Sequence, residues 1–345
     1  MERLFFLLSG EHSTLPFSEV ASILEAEGYR HKTVGRLRQV FRLEADKGCV
    51  KPIIARAAMT KVCNQEFFSC PATFADITEA LRRTSLDAII QKGDSFAVRV
   101  RRIGGIPTEV ASMELERKLG KTILEKAKGV KVSLKMPKHT FFGVLTEKCF
   151  VFGLKLGEIV PKPFSERRPR KRPFFQPSAM AAKLARCMVN LTKAKKGDLV
   201  FDPFCGTASF LIEAGLIGCR VIGSDAQRHM VEGGLRNLKY FNIIPEAMLV
   251  ADAERPPIIK ADSIVTDPPY GRTASTLGKN TEQIVRKVLP EFENLLQKKS
   301  RICIAAPKSI AIGKIAEEDG FKHLESHYVY VHRSLTREIA VLEKT

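Results

Sequence analysis

The sequence predicts an α/β chain whose C-terminal half is an open, largely parallel sheet, and three observations carry that expectation. Four short apolar runs, residues 199–201, 220–222, 248–250 and 263–265, are rich in β-branched residues, as strands buried on both faces are. Segments of helical length separate them. Each run is followed within a few residues by an aspartate: Asp202, Asp225, Asp252 and Asp267. An open α/β sheet places its ligand beyond the carboxyl ends of its strands, so the four carboxylates are expected to face one crevice.

Ahead of this sheet the pattern is α+β. Residues 4–8 read as a strand, Val20, Ile23 and Leu24 as one face of a helix, and residues 40–43 as a second strand. A further unit follows, with a helix around Ile77, Ala80 and Leu81 and a strand over residues 96–102. Its second helix carries the stripe Leu115, Leu119, Ile123 and Ala127, and strands over residues 131–134 and 141–156 complete it. In the strand at Phe96 the even positions Phe96, Val98 and Val100 are apolar while Arg99, Arg101 and Arg102 stand close by. One face can pack while the other stays cationic, toward RNA or as a solvated edge.

Between residues 161 and 173, Lys162, Arg167, Arg168, Arg170, Lys171 and Arg172 stand against the single acid Glu166 among four prolines. This reads as an extended basic linker that either meets a phosphate backbone or serves as a plain charged spacer. The expected domain limits are therefore residues 1–60, 61–158, a linker at 159–173, and 174–345.

A chain of 345 residues exceeds the size at which one core keeps growing, which agrees with several domains. Its formal charge of +18 favours a polyanionic partner, with nucleic acid first. The eight cysteines form no CxxC pair and no cluster with zinc spacing, so they are expected to be reduced and structural, with no metal site. The opening apolar run is too short for a secretory core, and no later segment has membrane-spanning length. The expectation is a cytoplasmic monomer without an accessory subunit.

The turn Asp202-Pro203-Phe204-Cys205-Gly206-Thr207 leads into a helix over residues 209–217. Gly206 would let backbone approach a ligand closely, and free amides at the helix start favour a carboxylate or phosphate. The dinucleotide fingerprint G-x-G-x-x-G is absent, with Ala208 where a second glycine would sit. Asp225, with Ala226 beside it, is placed to take the ribose hydroxyls of an adenosyl cofactor, a role that nicotinamide enzymes share. Asp252 and Ala253 are placed to meet an adenine, although such an aspartate also serves as a helix cap. Gln176, ahead of a helix over residues 181–191, either starts a lid over the cofactor or merely precedes the cap Ser178.

The tetrapeptide Asp267-Pro268-Pro269-Tyr270 discriminates among these readings. An exocyclic amino group on a nucleobase is a poor nucleophile, because its lone pair is delocalised into the ring. Hydrogen-bond acceptors must therefore meet its N–H groups as a methyl arrives. Asp267 supplies a carboxylate, and the two prolines remove opposing N–H donors while leaving the Pro268 carbonyl as a second acceptor. Tyr270 offers a face on which an unstacked base can rest.

With these motifs in order, residues 174 to the end resemble the class I S-adenosylmethionine-dependent amino-methyltransferases. Residues 70–156 look like a THUMP domain, preceded by a small ferredoxin-like unit, and the whole is similar to the archaeal tRNA guanine-N2-methyltransferases acting at position ten. The ending over residues 328–339, with His332, Arg333 and Arg337, resembles that subfamily's. The resemblance implies a Rossmann-like domain with a mostly parallel seven-stranded sheet and an antiparallel C-terminal hairpin strand. It implies S-adenosylmethionine as cofactor, tRNA as partner, and one or two methyl groups added to a guanine flipped out of its helix. Asp267, Pro268, Pro269 and Tyr270 would carry the chemistry, and Asp202 to Thr207, Asp225, Ala226, Asp252, Ala253 and Gln176 the cofactor. Arg99, Arg101, Arg102, Arg168, Arg170, Lys171, Arg172, His332, Arg333 and Arg337 would meet RNA. An rRNA or acceptor-stem guanine methyltransferase is the nearest alternative, and a non-catalytic RNA-binding protein a more distant one.

Overall fold

The computed structural model describes residues 1–104, 111–270, 280–333 and 335–345. The chain divides into two compact units, each assembled from separated stretches of sequence. In chain order the first 159 residues form β1 (Glu2–Leu8), α1 (Leu15–Ala26), β2 (His31–Leu37), β3 (Val40–Ala45), α2 (Val50–Arg56), β4 (Thr60–Pro71), α3 (Phe74–Arg83), β5 (Ser95–Arg102), α4 (Ser112–Lys126), β6 (Lys131–Val132), β7 (His139–Leu145) and β8 (Cys149–Glu158). The remainder forms α5 (Lys162–Glu166), α6 (Ala182–Leu191), β9 (Leu199–Asp202), α7 (Ser209–Leu216), β10 (Arg220–Asp225), α8 (Arg228–Tyr240), β11 (Ala247–Val250), β12 (Ser263–Thr266), α9 (Thr281–Leu295), β13 (Arg301–Pro307), α10 (Ile312–Glu318), β14 (Phe321–His332) and β15 (Leu335–Lys344).

The first unit comprises Met1–Ser13, Tyr29–Ile54 and Thr60–Ile159. One eight-stranded sheet runs through it in the order β2-β3-β1-β4-β8-β7-β5-β6. The expected limit at residue 60 therefore does not separate two sheets, because β4 pairs β1 on one side and β8 on the other. Phe96, Phe141, Phe150 and Phe152 are fully buried beneath α3 and α4, whose inward stripes are Ile77 and Leu81, and Leu115, Leu119 and Ile123. The apolar run over residues 141–156 is two strands, not one. Thr146 Oγ1 donates to the Cys149 carbonyl at 2.8 Å and accepts from its amide at 3.1 Å, which fixes the reversal between β7 and β8.

The second unit holds Val160–Thr345 together with Thr14–Gly28 and Ala55–Met59. Its seven strands run β11-β10-β9-β12-β13-β15-β14, all parallel where β9 to β13 pair and antiparallel at β15. Side chains alternate between the two faces, as the period of two demands. Val200, Val265, Cys303, Ile339 and Val341 pack with α6 and α7, whereas Phe201, Ile264, Ile302, Ala340 and Leu342 pack with α9 and α10. The doubly wound sheet expected from the strand pattern is thus present.

Helix α1 belongs to this second unit, which the sequence did not suggest. Glu19 is fully buried and accepts from the amides of Ala58 at 2.9 Å and Met59 at 2.8 Å, and from Asn190 Nδ2 at 2.9 Å. Burial raises its pKa, and those bonds with the nearby Arg186 oppose the rise. Arg56 donates to Glu27, Asn190 and the Ala194 carbonyl. At the helix start Thr14 Oγ1 meets His327 Nδ1 at 2.8 Å, and Ser18 donates to Glu325 at 2.6 Å.

Residues 159–173 do not form an extended basic linker. They contain α5 and a 3-10 turn at Pro169–Lys171, with Phe164 buried in the core of the second unit. Arg167 forks onto the fully buried carboxylate of Glu213 at 2.7 and 3.0 Å, and Arg186 joins at 2.8 Å. Charged-pair geometry of this bidentate kind fixes a side chain rather than freeing it.

Candidate active site

All four aspartates stand at the carboxyl ends of adjacent parallel strands. Asp202 closes β9 and Asp225 closes β10, while Asp252 follows β11 and Asp267 directly follows β12. With the turn after β9 and the start of α9, they line a cleft of about 760 Å³. Pro203, Phe204, Gly206, Thr207, Ala226, Ala253, Gln176, Pro268, Pro269 and Tyr270 line it too, so the expected cofactor and catalytic residues converge there. Gly271 lies outside the described residues.

Asp202 is fully buried. Its Oδ1 accepts from Thr266 Oγ1 at 2.8 Å and the Phe204 amide at 3.2 Å, and no protein donor among the described residues reaches Oδ2. Burial pushes the carboxyl up to about 8 against those two bonds, and the nearby Asp225 and Asp267 add to the rise. Such a group needs a cationic partner to ionise near neutrality. Asp225 accepts from the Gly206 amide at 3.0 Å through Oδ2 and from Gln227 at 2.9 Å through Oδ1. It thereby ties the turn after β9 to the end of β10, although burial raises its pKa.

Ala208, the residue before α7, has φ +62° and ψ +32°. The position thus takes the left-handed backbone that glycine adopts freely and that costs an L-residue roughly 1–2 kcal/mol. The motif departs from the glycine pattern in side chain but not in conformation. Gly234 of α8 allows the close approach, since a Cβ there would lie 2.9 Å from the Gly206 carbonyl oxygen.

Asp267 is pinned at the rim. The Tyr270 hydroxyl donates to its Oδ1, and Arg337 Nη2 stands 3.4 Å from Oδ2. Arg337 Nε also donates to the Tyr270 oxygen at 2.9 Å, with its guanidinium 5.4 Å from the ring centre. Burial raises the Asp267 pKa, while Arg337 and the Tyr270 bond pull it down. Burial and the neighbouring carboxylate push the Tyr270 phenol far up, so it stays a donor. Thr281 at the head of α9 donates to the Pro269 carbonyl at 3.0 Å, which anchors the double-proline turn.

Arg337 was expected to meet RNA but sits inside this cluster, 13% exposed. His332 lines the cleft from β14 and Arg333 is exposed beside it. Arg168, Arg170 and Lys171 are exposed, whereas Arg172 is buried and donates to Ser209 at 2.7 Å. Arg172 therefore has no surface to offer a phosphate. In the first unit Arg101 is exposed and Arg102 half-buried, while Arg99 is drawn onto the carbonyls of Val98 and Leu134. Sequence reasoning missed three props that arise only from strand and helix register: Thr266 on Asp202, Thr281 on Pro269, and Met180, whose Sδ accepts from Arg337 Nη1 at 3.5 Å.

A parallel sheet that ends in an antiparallel hairpin, with acids at its strand ends and the Asp267-Pro268-Pro269-Tyr270 turn at its rim, is the architecture of a class I S-adenosylmethionine-dependent methyltransferase, and the donor set fits the cofactor. The unpartnered Asp202 Oδ2 suits its ammonium group, and the Asp225 carboxylate stands at the next strand end. Residues 169–339 match the RMKL-like methyltransferase domain, and residues 71–152 the THUMP domain. The tRNA (guanine(10)-N2)-dimethyltransferase of Methanothermobacter thermautotrophicus is 37% identical over 339 residues, spanning 98% of each chain. That of Methanocaldococcus jannaschii is 31% identical, over 98% of this chain and 99% of its own. The crystal structure of TrmN from Thermus thermophilus shares the fold with a TM-score of 0.56 at 21% identity, covering 99% of this chain and all of the other. The chain belongs to the family of tRNA (guanine(10)-N2)-dimethyltransferases.

Proposed function

We propose that this chain transfers methyl groups from S-adenosylmethionine to the exocyclic N2 of guanosine ten in tRNA, first one and then a second. The observation that carries the reading is the cluster of Asp267, Tyr270 and Arg337 at the rim of the cleft, one strand away from Asp202. The cofactor supplies an electrophilic methyl on a sulfonium. Asp267, whose carboxyl the Arg337 cation pulls back against the rise that burial causes, accepts hydrogen bonds from the amino group and favours the positive charge that grows on nitrogen. When the base enters, Tyr270 exchanges its bond to Asp267 for stacking on the purine. Asp202 holds the cofactor's ammonium, Asp225 its ribose hydroxyls, and Asp252 with Ala253 its adenine.

A guanine in the D-arm is paired and stacked, so it must leave its helix, at a few kcal/mol. Basic side chains elsewhere, within a formal charge of +18, offset that cost by binding the rest of the RNA. We further propose that it acts as a monomer without an accessory subunit, in the cytoplasm. The test is incubation with labelled S-adenosylmethionine and unmodified tRNA transcript, followed by nucleoside analysis. Label is expected in N2-methylated guanosine at position ten and lost when that position is adenosine. Asp267→Ala should abolish transfer while leaving cofactor affinity intact, and transfer at the wild-type rate would reject the catalytic assignment.

A further inference from the structure

The edge strand β14 carries a surface that folding does not account for. His327 and Val329 face inward along it, while Tyr328 and Tyr330 between and beyond them are 55% and 69% exposed. Among the described residues only β15 pairs with β14, which makes β14 the last strand of its sheet. Large apolar side chains on an edge invite self-association, and folded sheets ordinarily charge or cover such strands. Here a cation stands beside one ring, with Lys308 Nζ 5.0 Å from the centre of Tyr328, and Arg333 is exposed just past the strand's end. The register slips between Tyr330 and His332, a bulge that re-aims the strand. Past that bulge Val331 and His332 line the cleft that holds Asp267, so the tyrosine row is continuous with the mouth of the active site.

We propose that Tyr328 and Tyr330 form a stacking platform for the nucleotide next to the guanosine held in the cleft. The inference rests on the function proposed above and deepens it. Side chains two residues apart on a strand stand about 6.8 Å apart, at about 3.4 Å per residue. Stacked bases are spaced about 3.4 Å apart along a strand, so a single base between the two rings would fill that interval. Tyrosine suits the task because its face is apolar and its hydroxyl stays in water. Extruding the guanine strips its neighbour of a stacking partner, and the platform replaces what is lost. The cations at Lys308 and Arg333 match a phosphate backbone in sign, which favours RNA over an apolar protein segment as the occupant.

The test compares wild type with the pairs Tyr328→Ala/Tyr330→Ala and Tyr328→Phe/Tyr330→Phe. Methyl transfer to a tRNA transcript is measured beside direct binding of tRNA and of S-adenosylmethionine. The alanine pair is expected to raise the tRNA Kd about tenfold or more, as loss of base stacking does. The phenylalanine pair should bind as wild type, and cofactor affinity and the salt slope of tRNA binding should be unchanged, since no phosphate contact is removed. If the alanine pair binds tRNA as tightly as a wild type that methylates it, the platform is overturned while the function stands. If wild type itself transfers nothing to tRNA, the function falls and the platform with it.

Discussion

Asp202 makes cofactor binding depend on pH in a direction and by an amount that the structure fixes. Its carboxyl, pushed up to about 8, is mostly protonated at neutrality, and the groups facing it are Thr266, the Phe204 amide, Asp225 and Asp267, none of them cationic. A cofactor ammonium that pairs with Oδ2 selects the ionised form. Below the folded pKa each pH unit then costs about tenfold in affinity, so Kd should rise about a hundredfold from pH 7.5 to 5.5. At pH 7 a group titrating at about 8 is roughly nine-tenths protonated, and binding should release close to one proton. Titration calorimetry in buffers of differing ionisation enthalpy measures that release. Asp202→Asn keeps an acceptor for Thr266 but should bind weakly, release no proton from this site and lose the slope. The linkage has a counterpart in folding. A carboxyl raised above its unfolded value binds more protons in the native state between about pH 4 and 8, so the ligand-free protein should lose stability as pH rises through that window. Affinity that is flat from pH 5.5 to 7.5, or a slope that survives in the asparagine variant, would refute the pairing.

Two further outcomes follow from the same geometry. Arg337→Met removes the cation beside Asp267 and leaves the Tyr270 bond alone to oppose burial, so the acidic limb of the kcat profile should move to higher pH, and Arg337→Lys should restore part of it. Asp202, Tyr270 and His332 share the cleft and are unchanged in these variants, so an unmoved limb would leave Arg337 with no part in setting the charge of Asp267. Glu19→Ala leaves the amides of Ala58 and Met59 without their acceptor and Asn190 Nδ2 with the Arg56 carbonyl alone, at roughly 1–3 kcal/mol for each unsatisfied group. Thermal unfolding followed by circular dichroism should show a fall in Tm of many degrees, with Glu19→Gln between the two, and a Tm within a degree of wild type would dismiss the buried network as a source of stability.

The parallel strands were legible because each is short, apolar and closed by an acid, which is local information. The rim of the site was legible for the same reason at Asp267 to Tyr270. Arg337 was not, because its partners lie some seventy residues earlier in sequence and a basic residue in a hairpin reads as surface. Arg172 misled in the same way: a cationic run among prolines reads as solvated, and only the fold reveals that Glu213 and Ser209 draw part of it inward. Glu19 gave no signal at all, since a glutamate on an amphipathic helix ordinarily faces water. The exposed tyrosines of β14 were hidden by their alternation, which looks the same whichever face is buried.

Because α1 closes onto strands near the other terminus, with Thr14 meeting His327 and Ser18 meeting Glu325 across more than three hundred positions, the catalytic body is not a contiguous piece of sequence. A ribosome delivers its opening helix long before the hairpin that helix must touch. Closing so long a loop is entropically costly and delays completion of the body until the whole polypeptide has emerged. A gene fragment starting near residue 160 would therefore yield a domain with a bare groove where α1 should lie, prone to clumping rather than to independent activity.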